Sequence, residues 1–297
     1  YAFGCNAPDA GNIELLHQFG TDAQKHEWLP RLVGGQLRSC FGMTERSNSG
    51  ANPLFLETRA ERRGGEYVIN GEKWFTTGAD GSSLCIVMAV TNPAGPPHQR
   101  ASMILVPTNT PGYVLERNTK IMGHADQGLF SHGEVRFDDC RVPVAHLLGT
   151  EGEGFRLAQV RLGPGRIHHC MRWLGICARS LDMLAARAAQ RVIGERDRRL
   201  IESDIIKAWI AECAAEVEAA RLLTLQTAWR IEREGAKAAR NDISMIKYYV
   251  AGILQRVVDR ALQAHGGLGM TDYTVLAWWY REERASRIYD GPDEVHK

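Results

Sequence analysis

The sequence has no excess of either charge, no long apolar run and no paired cysteines. Its 36 basic and 35 acidic residues nearly balance, whereas nucleic-acid-binding domains usually carry a basic excess. No run reaches 18 apolar residues, so no transmembrane helix is predicted. The seven cysteines are spaced singly, without a CxxC pair, which argues against a metal centre or a disulfide framework and favours a reducing compartment.

The chain begins at Tyr1 instead of methionine, and residues 1–11 read as the interior of a domain. We therefore expect the natural protein to begin further upstream, together with any targeting signal. Hydrophobic residues make up 44% of the 297 residues, which is enough for one large domain or two modest ones.

The first 150 residues change from a helical to a strand-like pattern. Ile13–Leu37 has helical spacing, with Thr21 or Asp22 as the N-cap and Gly34 at the end. The next region reads as short strands and turns, typical of a β-barrel or sandwich. Its clearest element is Glu66–Phe75, where Asn70-Gly71 predicts a hairpin turn. Further strands are predicted at Leu84–Val90, Ala101–Val106, Tyr113–Arg117 and Glu134–Phe137.

From Gly154 onward the apolar spacing is helical. Four long helices are predicted, at Phe155–Val192, Leu200–Arg233, Ile243–His265 and Val275–Ile288. Short polar connections between them favour an antiparallel bundle. The sequence therefore predicts an α+β fold with a helical segment, a middle β domain and a C-terminal four-helix bundle, divided at 1–38, 39–150 and 151–297.

Near its end the chain places Asp290 directly before Gly291-Pro292. Proline lacks an N–H and disfavours helical geometry at the preceding residue, so the helix must bend here. The Asp290 side chain can then point into a cavity, where burial makes a carboxylate a better base near neutral pH. The alternative is an ordinary acidic helix end.

Two segments of the β region, Phe41–Glu45 and Lys73–Gly78, combine ring or sulfur side chains with hydroxyls. Strand alternation would place Trp74 and Thr76 on one side. There Trp74 could cover a flat ring whose edge bonds Thr44 and Thr76. An ordinary β-core with surface threonines is the other interpretation.

Two further clusters lie in the helical region. The glycines of Gln263–Gly269 could let the backbone approach a ligand or could simply stop a helix. They follow a helix and lack GxGxxG spacing, which excludes a Rossmann site. In Leu162–Cys170, Arg166 could meet an anionic or carbonyl-bearing ligand. The adjacent His168 and His169 point in different directions on a helix, which favours surface or core roles over metal binding.

Taken in chain order, these segments resemble the acyl-CoA dehydrogenase family over essentially the whole chain. Phe41–Glu45 and Asn70–Thr76 resemble its flavin segments, Asp138–Pro143 its strand exit, and Gln263–Gly269 the segment that reaches a neighbouring subunit's flavin. Arg287–Val295 resembles its base motif. Gly163–Arg172 and Asp290–His296 further resemble the subgroup that some eukaryotes fuse to a phosphotransferase-like kinase domain, which also carries Asp where most relatives carry Glu.

The resemblance implies FAD as cofactor, an acyl-CoA substrate and Asp290 as the base that removes a Cα proton. Some relatives carry the base one residue before Arg166, where this chain has Gly165. Arg166 and Gly291 are the implied substrate contacts. The implied flavin contacts are Phe41, Met43, Thr44, Ser49, Gly50, Trp74, Thr76, Arg191, Gln263, Gly266, Gly267, Pro292 and Glu294.

The chain departs from the family pattern at three places. Arg46–Asn52 replaces the segment whose serine meets the flavin pyrophosphate, although the backbone at Ser49 and Gly50 could still bind an anion. Arg191–Arg196 lacks the expected phenylalanine, and Thr274 replaces a proline. The family's N-terminal helical domain is mostly missing, so residues 1–38 would be its remnant.

The resemblance also implies partners and leaves alternatives open. Electrons would pass to an electron-transfer flavoprotein, and the protein would be a homodimer or homotetramer, cytoplasmic in a bacterium and mitochondrial or peroxisomal in a eukaryote. An acyl-CoA oxidase or flavin monooxygenase is the second interpretation. A non-catalytic scaffold that has lost flavin is the third.

Overall fold

The computed structural model describes residues 7–195 and 197–297. The chain forms two compact units, Tyr1–Leu162 and Gly163–Lys297. The first contains a β-sheet and two short helices, and the second is helical, which confirms the predicted α+β class. The domain limits proposed from the sequence stay predictions.

Two helices open the first unit, α1 (Asp9–Phe19) and α2 (Asp22–Val33). Thr21 caps α2 in a reciprocal capping box, in which its side chain accepts from the Gln24 N–H and the Gln24 side chain accepts from the Thr21 N–H. The predicted cap and the end at Gly34 are therefore confirmed. The helical stretch predicted over Ile13–Leu37 forms parts of two helices, because the extended backbone of Gly20 ends α1 just before the cap at Thr21.

The rest of the first unit is a mixed eight-stranded sheet. Seven strands follow the order β6-β7-β3-β2-β4-β5-β8, and β1 pairs with β4. The strands are β1 (Ser39–Gly42), β2 (Arg59–Arg63), β3 (Glu66–Thr77), β4 (Leu84–Val90), β5 (Ala101–Pro107), β6 (Tyr113–Asn118), β7 (His132–Pro143) and β8 (Leu147–Leu148). Strand β4 is buried along its whole length, as its continuous apolar run requires.

The hairpin predicted at Asn70-Gly71 is wrong. Strand β3 continues through both residues, and the hairpin turn that precedes it lies at Gly64-Gly65. Gly71, at φ 142°, packs so closely that a Cβ would lie 2.6 Å from the Cα of Thr58. The Asn70 side chain accepts from the Asp139 N–H at 2.8 Å. Asn70-Gly71 therefore lies within β3, at a point where the register between β3 and β7 shifts.

A second irregularity in β3 lies between Lys73 and Thr76. Phe75 has φ 48° and is exposed, whereas Lys73 and Thr76 are both buried. The two-residue alternation is therefore broken at this point. Regular alternation therefore does not apply across this point, and the placement of Trp74 and Thr76 on one side stays a prediction.

The second unit is built from helices. They are α3 (Gly154–Gln190), which begins in the first unit, α4 (Asp204–Glu234), α5 (Arg240–His265), α6 (Leu276–Glu282) and α7 (Asp293–His296). Their core is apolar and includes Trp173, Leu254 and Leu276. None of the helices in the described ranges combines the length and hydropathy that crossing a membrane requires.

Only three of the four long helices predicted here are long. The fourth, predicted over Val275–Ile288, is α-helical only over α6. It continues as a 3-10 helix at Glu283–Arg287. Gln255 of α5 donates to the Glu283 carbonyl at 2.6 Å, and the Glu283 carboxylate is buried against Arg172. These tertiary contacts engage the carbonyl and the carboxylate of Glu283, the residue at which α-helical hydrogen bonding gives way to a 3-10 helix.

Candidate active site

The chain turns sharply at Asp290 and Gly291. Both residues have positive φ, 54° and 97° respectively, and Pro292 follows at φ −57° to start α7. Aspartate tolerates the left-handed region better than most residues, and glycine adopts it freely. A Cβ on Gly291 would lie 2.7 Å from Nε2 of His296. The predicted break before Pro292 is thus present, and the positive φ of Gly291 favours glycine at this position.

Three cationic or imidazole side chains hold the backbone of this turn. The Asp290 carbonyl accepts from Nε and Nη2 of Arg166 at 3.2 and 3.1 Å, and it lies 3.0 Å from Nε2 of His296. Lys247 donates to the Gly291 carbonyl at 2.5 Å. A carbonyl can only accept, so the His296 contact requires a proton on Nε2.

The charges around the turn are largely buried. The Lys247 side chain is 0% exposed, and its Nζ lies 3.7 Å from Oδ1 of Asp293. Asp293 also pairs with Arg287 at 2.6 Å. Burial is the main cause that lowers the pKa of Lys247, of Arg166 and of His296 below their usual values. For His296, this favours a neutral ring at neutral pH.

The carboxylate of Asp290 faces α3. Its Oδ2 lies 3.2 Å from Nε2 of His169, and each of the two side chains is 19% exposed. The same oxygen would lie 4.0 Å from a Cβ on Gly165. Gly165 and His169 are four residues apart and therefore share a helix face. Reasoning from the sequence assigned His169 no part in the site, although its spacing from Gly165 was a usable signal.

Aromatic rings surround this histidine. His169 stacks on Trp173 at 5.7 Å and 19°, and Tyr289 lies against it at 4.9 Å. The Tyr289 hydroxyl accepts from Nε1 of Trp173 at 3.1 Å and from Arg172 at 2.9 Å. Burial raises the pKa of Tyr289, which keeps the hydroxyl protonated. The Asp290 carboxylate therefore lies beside the packed rings of His169, Trp173 and Tyr289. This cluster was not predicted from the sequence.

Arg166 lies beside Asp290, and its resolved hydrogen bonds go to the Asp290 backbone. Its role in substrate binding, and that of Gly291, stay predictions. What the geometry does provide is a fixed carboxylate, with an uncluttered helix surface at Gly165 beside it.

In the first unit, the two segments proposed to share a pocket lie side by side. The Trp74 N–H donates to the Thr44 carbonyl at 3.0 Å, and the Thr44 hydroxyl donates to the Trp74 carbonyl at 3.2 Å. Lys73 crosses between them, donating to the Met43 carbonyl at 3.0 Å and to Glu45 at 2.7 Å. Burial lowers the pKa of Lys73 to about 8, opposed by Glu45.

The hydroxyl of Thr76 is buried and has no hydrogen-bond partner among the described residues. Buried hydroxyls are rarely left unsatisfied, so this group fits a site that a polar ring edge completes. Nearby, Gly50 comes so close to Thr44 that a Cβ would lie 2.8 Å from its methyl group. Ser49 beside it is exposed. Phe41 is half-buried beneath the Arg161 guanidinium, 4.2 Å from its ring centre.

The other proposed cofactor residues lie on the second unit's surface or near it. Gly266 has φ 61° and ends α5, donating its N–H to the Gln263 carbonyl, as the helix-stop interpretation requires. Pro292 is half-buried. Exposed positions are held by Arg191, Gln263, Gly266, Gly267 and Glu294. Their flavin contacts stay predictions.

Comparison with known protein families gives two matches that follow each other along the chain. Residues 40–140 match the acyl-CoA dehydrogenase middle domain, and residues 152–297 match the acyl-CoA dehydrogenase C-terminal domain. FadE2 of Mycobacterium tuberculosis, named as a probable acyl-CoA dehydrogenase, is 46% identical over 99% of this chain and 72% of its own. Acyl-CoA dehydrogenase family member 11 of Gallus gallus is 44% identical, but this chain spans only 38% of its length.

Solved structures agree. A Mycobacterium abscessus protein described as an acyl-CoA dehydrogenase superposes with a TM-score of 0.95 at 38% identity, over 99% of this chain and 72% of that one. Butyryl-CoA dehydrogenase of Megasphaera elsdenii gives 0.85 at 30% identity, over 96% and 72%. A structure described as the electron transferring flavoprotein of Acidaminococcus fermentans gives 0.86 at 28%, over 96% and 72%. By sequence and by fold, the chain belongs to the acyl-CoA dehydrogenase family.

Proposed function

We propose that this protein catalyses the FAD-dependent α,β-dehydrogenation of an acyl-CoA thioester, with Asp290 as the base. The observation that carries the proposal is the fixed Asp290 carboxylate beside Gly165. Gly165 cannot serve as the alternative base that some relatives place there. The carboxylate that reaches this stretch of α3 comes instead from the turn at Asp290.

Asp290 removes one proton from Cα, and the carbon–carbon double bond forms as a hydride leaves Cβ. FAD supplies the acceptor for that hydride. Aspartate is about 1.5 Å shorter in reach than glutamate. Lys247 and Arg166 bond the carbonyls of Gly291 and Asp290 and so hold the turn from which the shorter side chain begins. A fixed base loses less entropy when it meets the substrate.

In the first unit, the residues that would hold FAD are those that offer it a hydrogen-bond donor or an aromatic face. The orphaned Thr76 hydroxyl would bond a polar atom of the ring edge, and Trp74 would cover a face. Ser49 and Gly50 would offer backbone amides to the pyrophosphate. The retained Thr76 hydroxyl speaks against a scaffold that has lost its flavin.

An electron-transfer flavoprotein is the proposed electron acceptor, and the likeness to the Acidaminococcus fermentans flavoprotein structure supports it. We also propose a homodimer or homotetramer, in which Gln263–Gly269 reaches a neighbour's cofactor. Flavin retention should then fall when the protein is diluted to monomers. A stable monomer with full FAD occupancy, seen by sedimentation, would contradict this arrangement.

The base assignment is tested with Asp290→Asn. The amide is nearly isosteric but cannot accept the proton, so FAD stays bound while its anaerobic reduction by saturated acyl-CoAs, from butyryl to palmitoyl, slows by about 10³-fold. His168→Gln, at an exposed neighbouring position, serves as the control. An Asp290→Asn variant reduced within about tenfold of the parent rate would place the base elsewhere.

A further inference from the structure

We propose that His169 is a positioning residue for the Asp290 base. Its Nε2 would donate to Oδ2 of the carboxylate and hold that oxygen against the bare helix surface at Gly165. The inference rests on the proposed function for its catalytic consequence, but the contact itself can be tested without it.

The first observation is the geometry of the pair. Nε2 of His169 and Oδ2 of Asp290 are 3.2 Å apart, and each side chain is only 19% exposed. The Asp290 backbone is pinned at its carbonyl by Arg166 and His296. These contacts are to the Asp290 carbonyl, whereas the contact with His169 is to the carboxylate oxygen Oδ2.

The second observation is that His169 is itself held in place. It packs against Trp173 and Tyr289, whose indole N–H and hydroxyl bond each other at 3.1 Å. Arg172 joins this network by donating to the Tyr289 hydroxyl and pairing with the buried Glu283. A donor whose own position is fixed by packing and hydrogen bonds can orient its partner.

The third observation is the charge distribution around the pair. The charged or titratable side chains that surround it on α3, α5, the 3-10 turn and α7 are Arg166, Arg172, Lys247, Glu283, Asp293 and His296. Among them, the resolved contacts of Arg166 and His296 with Asp290 go to its carbonyl. Lys247 is committed to Gly291 and Asp293. The resolved contact of His169, in contrast, is to a carboxylate oxygen of Asp290.

Two variants of His169 separate donation from packing. His169→Gln keeps an N–H donor at a comparable reach and loses the stacked ring. His169→Phe keeps a ring against Trp173 and Tyr289 and loses the donor. We expect FAD-loaded His169→Phe to be reduced at least about tenfold more slowly by the best acyl-CoA of the panel, with KM changed less than about twofold. His169→Gln should recover most of that rate, and His168→Gln should match the parent.

The contact is read directly by ¹⁵N NMR of labelled histidines in the holoprotein, with the His169 signal assigned by its loss in His169→Gln. Asp290→Asn should shift the Nε2 resonance of His169, whereas Asp259→Asn, the same substitution at an exposed position of α5, should not. A His169 signal that ignores Asp290→Asn overturns the inference, whatever the enzyme's activity. So does a His169→Phe variant that keeps the parent rate, or a Gln variant as slow as the Phe variant. If no acyl-CoA reduces the flavin, the proposed function fails, and the NMR result alone decides the pairing.

Discussion

Nζ of Lys73 lies 2.7 Å from Oε1 of Glu45, and the two side chains are 0% and 1% exposed. The pair joins β3 to the segment that follows β1. Glu45 also accepts from the backbone N–H groups of Glu57 and Thr58, at 2.6 and 2.9 Å. The carboxylate therefore has several donors, whereas the acceptors resolved for the ammonium within the described ranges are Glu45 and the Met43 carbonyl.

This asymmetry predicts unequal costs for breaking the pair. Glu45→Gln leaves a buried ammonium without a counter-charge and should lower the free energy of unfolding by about 3–5 kcal/mol. Lys73→Met leaves a carboxylate that keeps its backbone donors and should cost about 1–3 kcal/mol. Urea unfolding of both variants and of the double variant measures this. A double variant that loses the full sum of the single costs would show that the two residues do not interact.

Acid should weaken the contact between Glu45 and Lys73. Burial alone would raise the pKa of Glu45, but Lys73 and the two backbone N–H groups outweigh it and lower the pKa below 4.5. As the pH falls through 4.5, the unfolded chain therefore takes up the proton before the folded chain does, and stability is lost. Between about pH 6 and about pH 3, the free energy of unfolding should fall more for the parent than for Glu45→Gln. Equal slopes would show that Glu45 is not responsible.

The orphaned hydroxyl of Thr76 gives a prediction about the cofactor. If it bonds the flavin, Thr76→Val should change the flavin absorption spectrum and potential with little loss of stability, and Thr76→Ser should restore both. Trp74→Phe should also alter the spectrum, because it changes the ring against the flavin. A purely structural Trp74 would instead lose stability through a cavity and leave the potential unchanged. Parent-like spectra, potentials and reduction rates in both Trp74→Phe and Thr76→Val would remove this segment from the flavin site.

The turn that carries the base predicts a kinetic effect of Gly291→Ala. The new Cβ would meet His296 at 2.7 Å and would strain a backbone at φ 97°. We expect the rate of flavin reduction to fall by about tenfold or more, since small misplacements of a base are costly. Gly235→Ala is the matched control, because Gly235 has φ 85° but open space around its Cβ. Its stability should fall by about 1–3 kcal/mol with the rate unchanged, because its backbone at φ 85° and ψ 157° lies in a region that is essentially restricted to glycine. Equal rates in the two variants would separate the turn from catalysis.

Local signals in the sequence predicted part of this structure. The N-cap at Thr21, the strand at Leu84–Val90 and the break at Gly291-Pro292 each depend on residues close in the chain, and each is confirmed. The hairpin was misplaced because Asn70-Gly71 and Gly64-Gly65 both suit a tight turn. The choice between them depends on Thr58 and Asp139, which are distant in sequence.

The same reasoning explains what was missed at the site. Asp290 was found because proline and glycine mark its turn. His169 was interpreted as a surface or core histidine. Its four-residue spacing from Gly165 indicated a shared helix face, but only the folded chain shows that Asp290 returns to that face. Lys247 had no signal at all, since a lysine within an amphipathic helix is ordinarily solvated. Its hydrogen bond to the Gly291 carbonyl depends on tertiary packing between distant parts of the chain.

The two irregularities of β3 have a consequence for folding. A slip of β3 by one residue against β2 would take Gly71 away from Thr58 and bring a residue with a side chain into a space where a Cβ would lie 2.6 Å from a backbone atom. The same slip would separate Lys73 from Glu45 and leave a charge buried. Misaligned sheets are thus penalised at two separate points of one strand. The chain selects its native register from within the strand, independently of the two-glycine turn that precedes it.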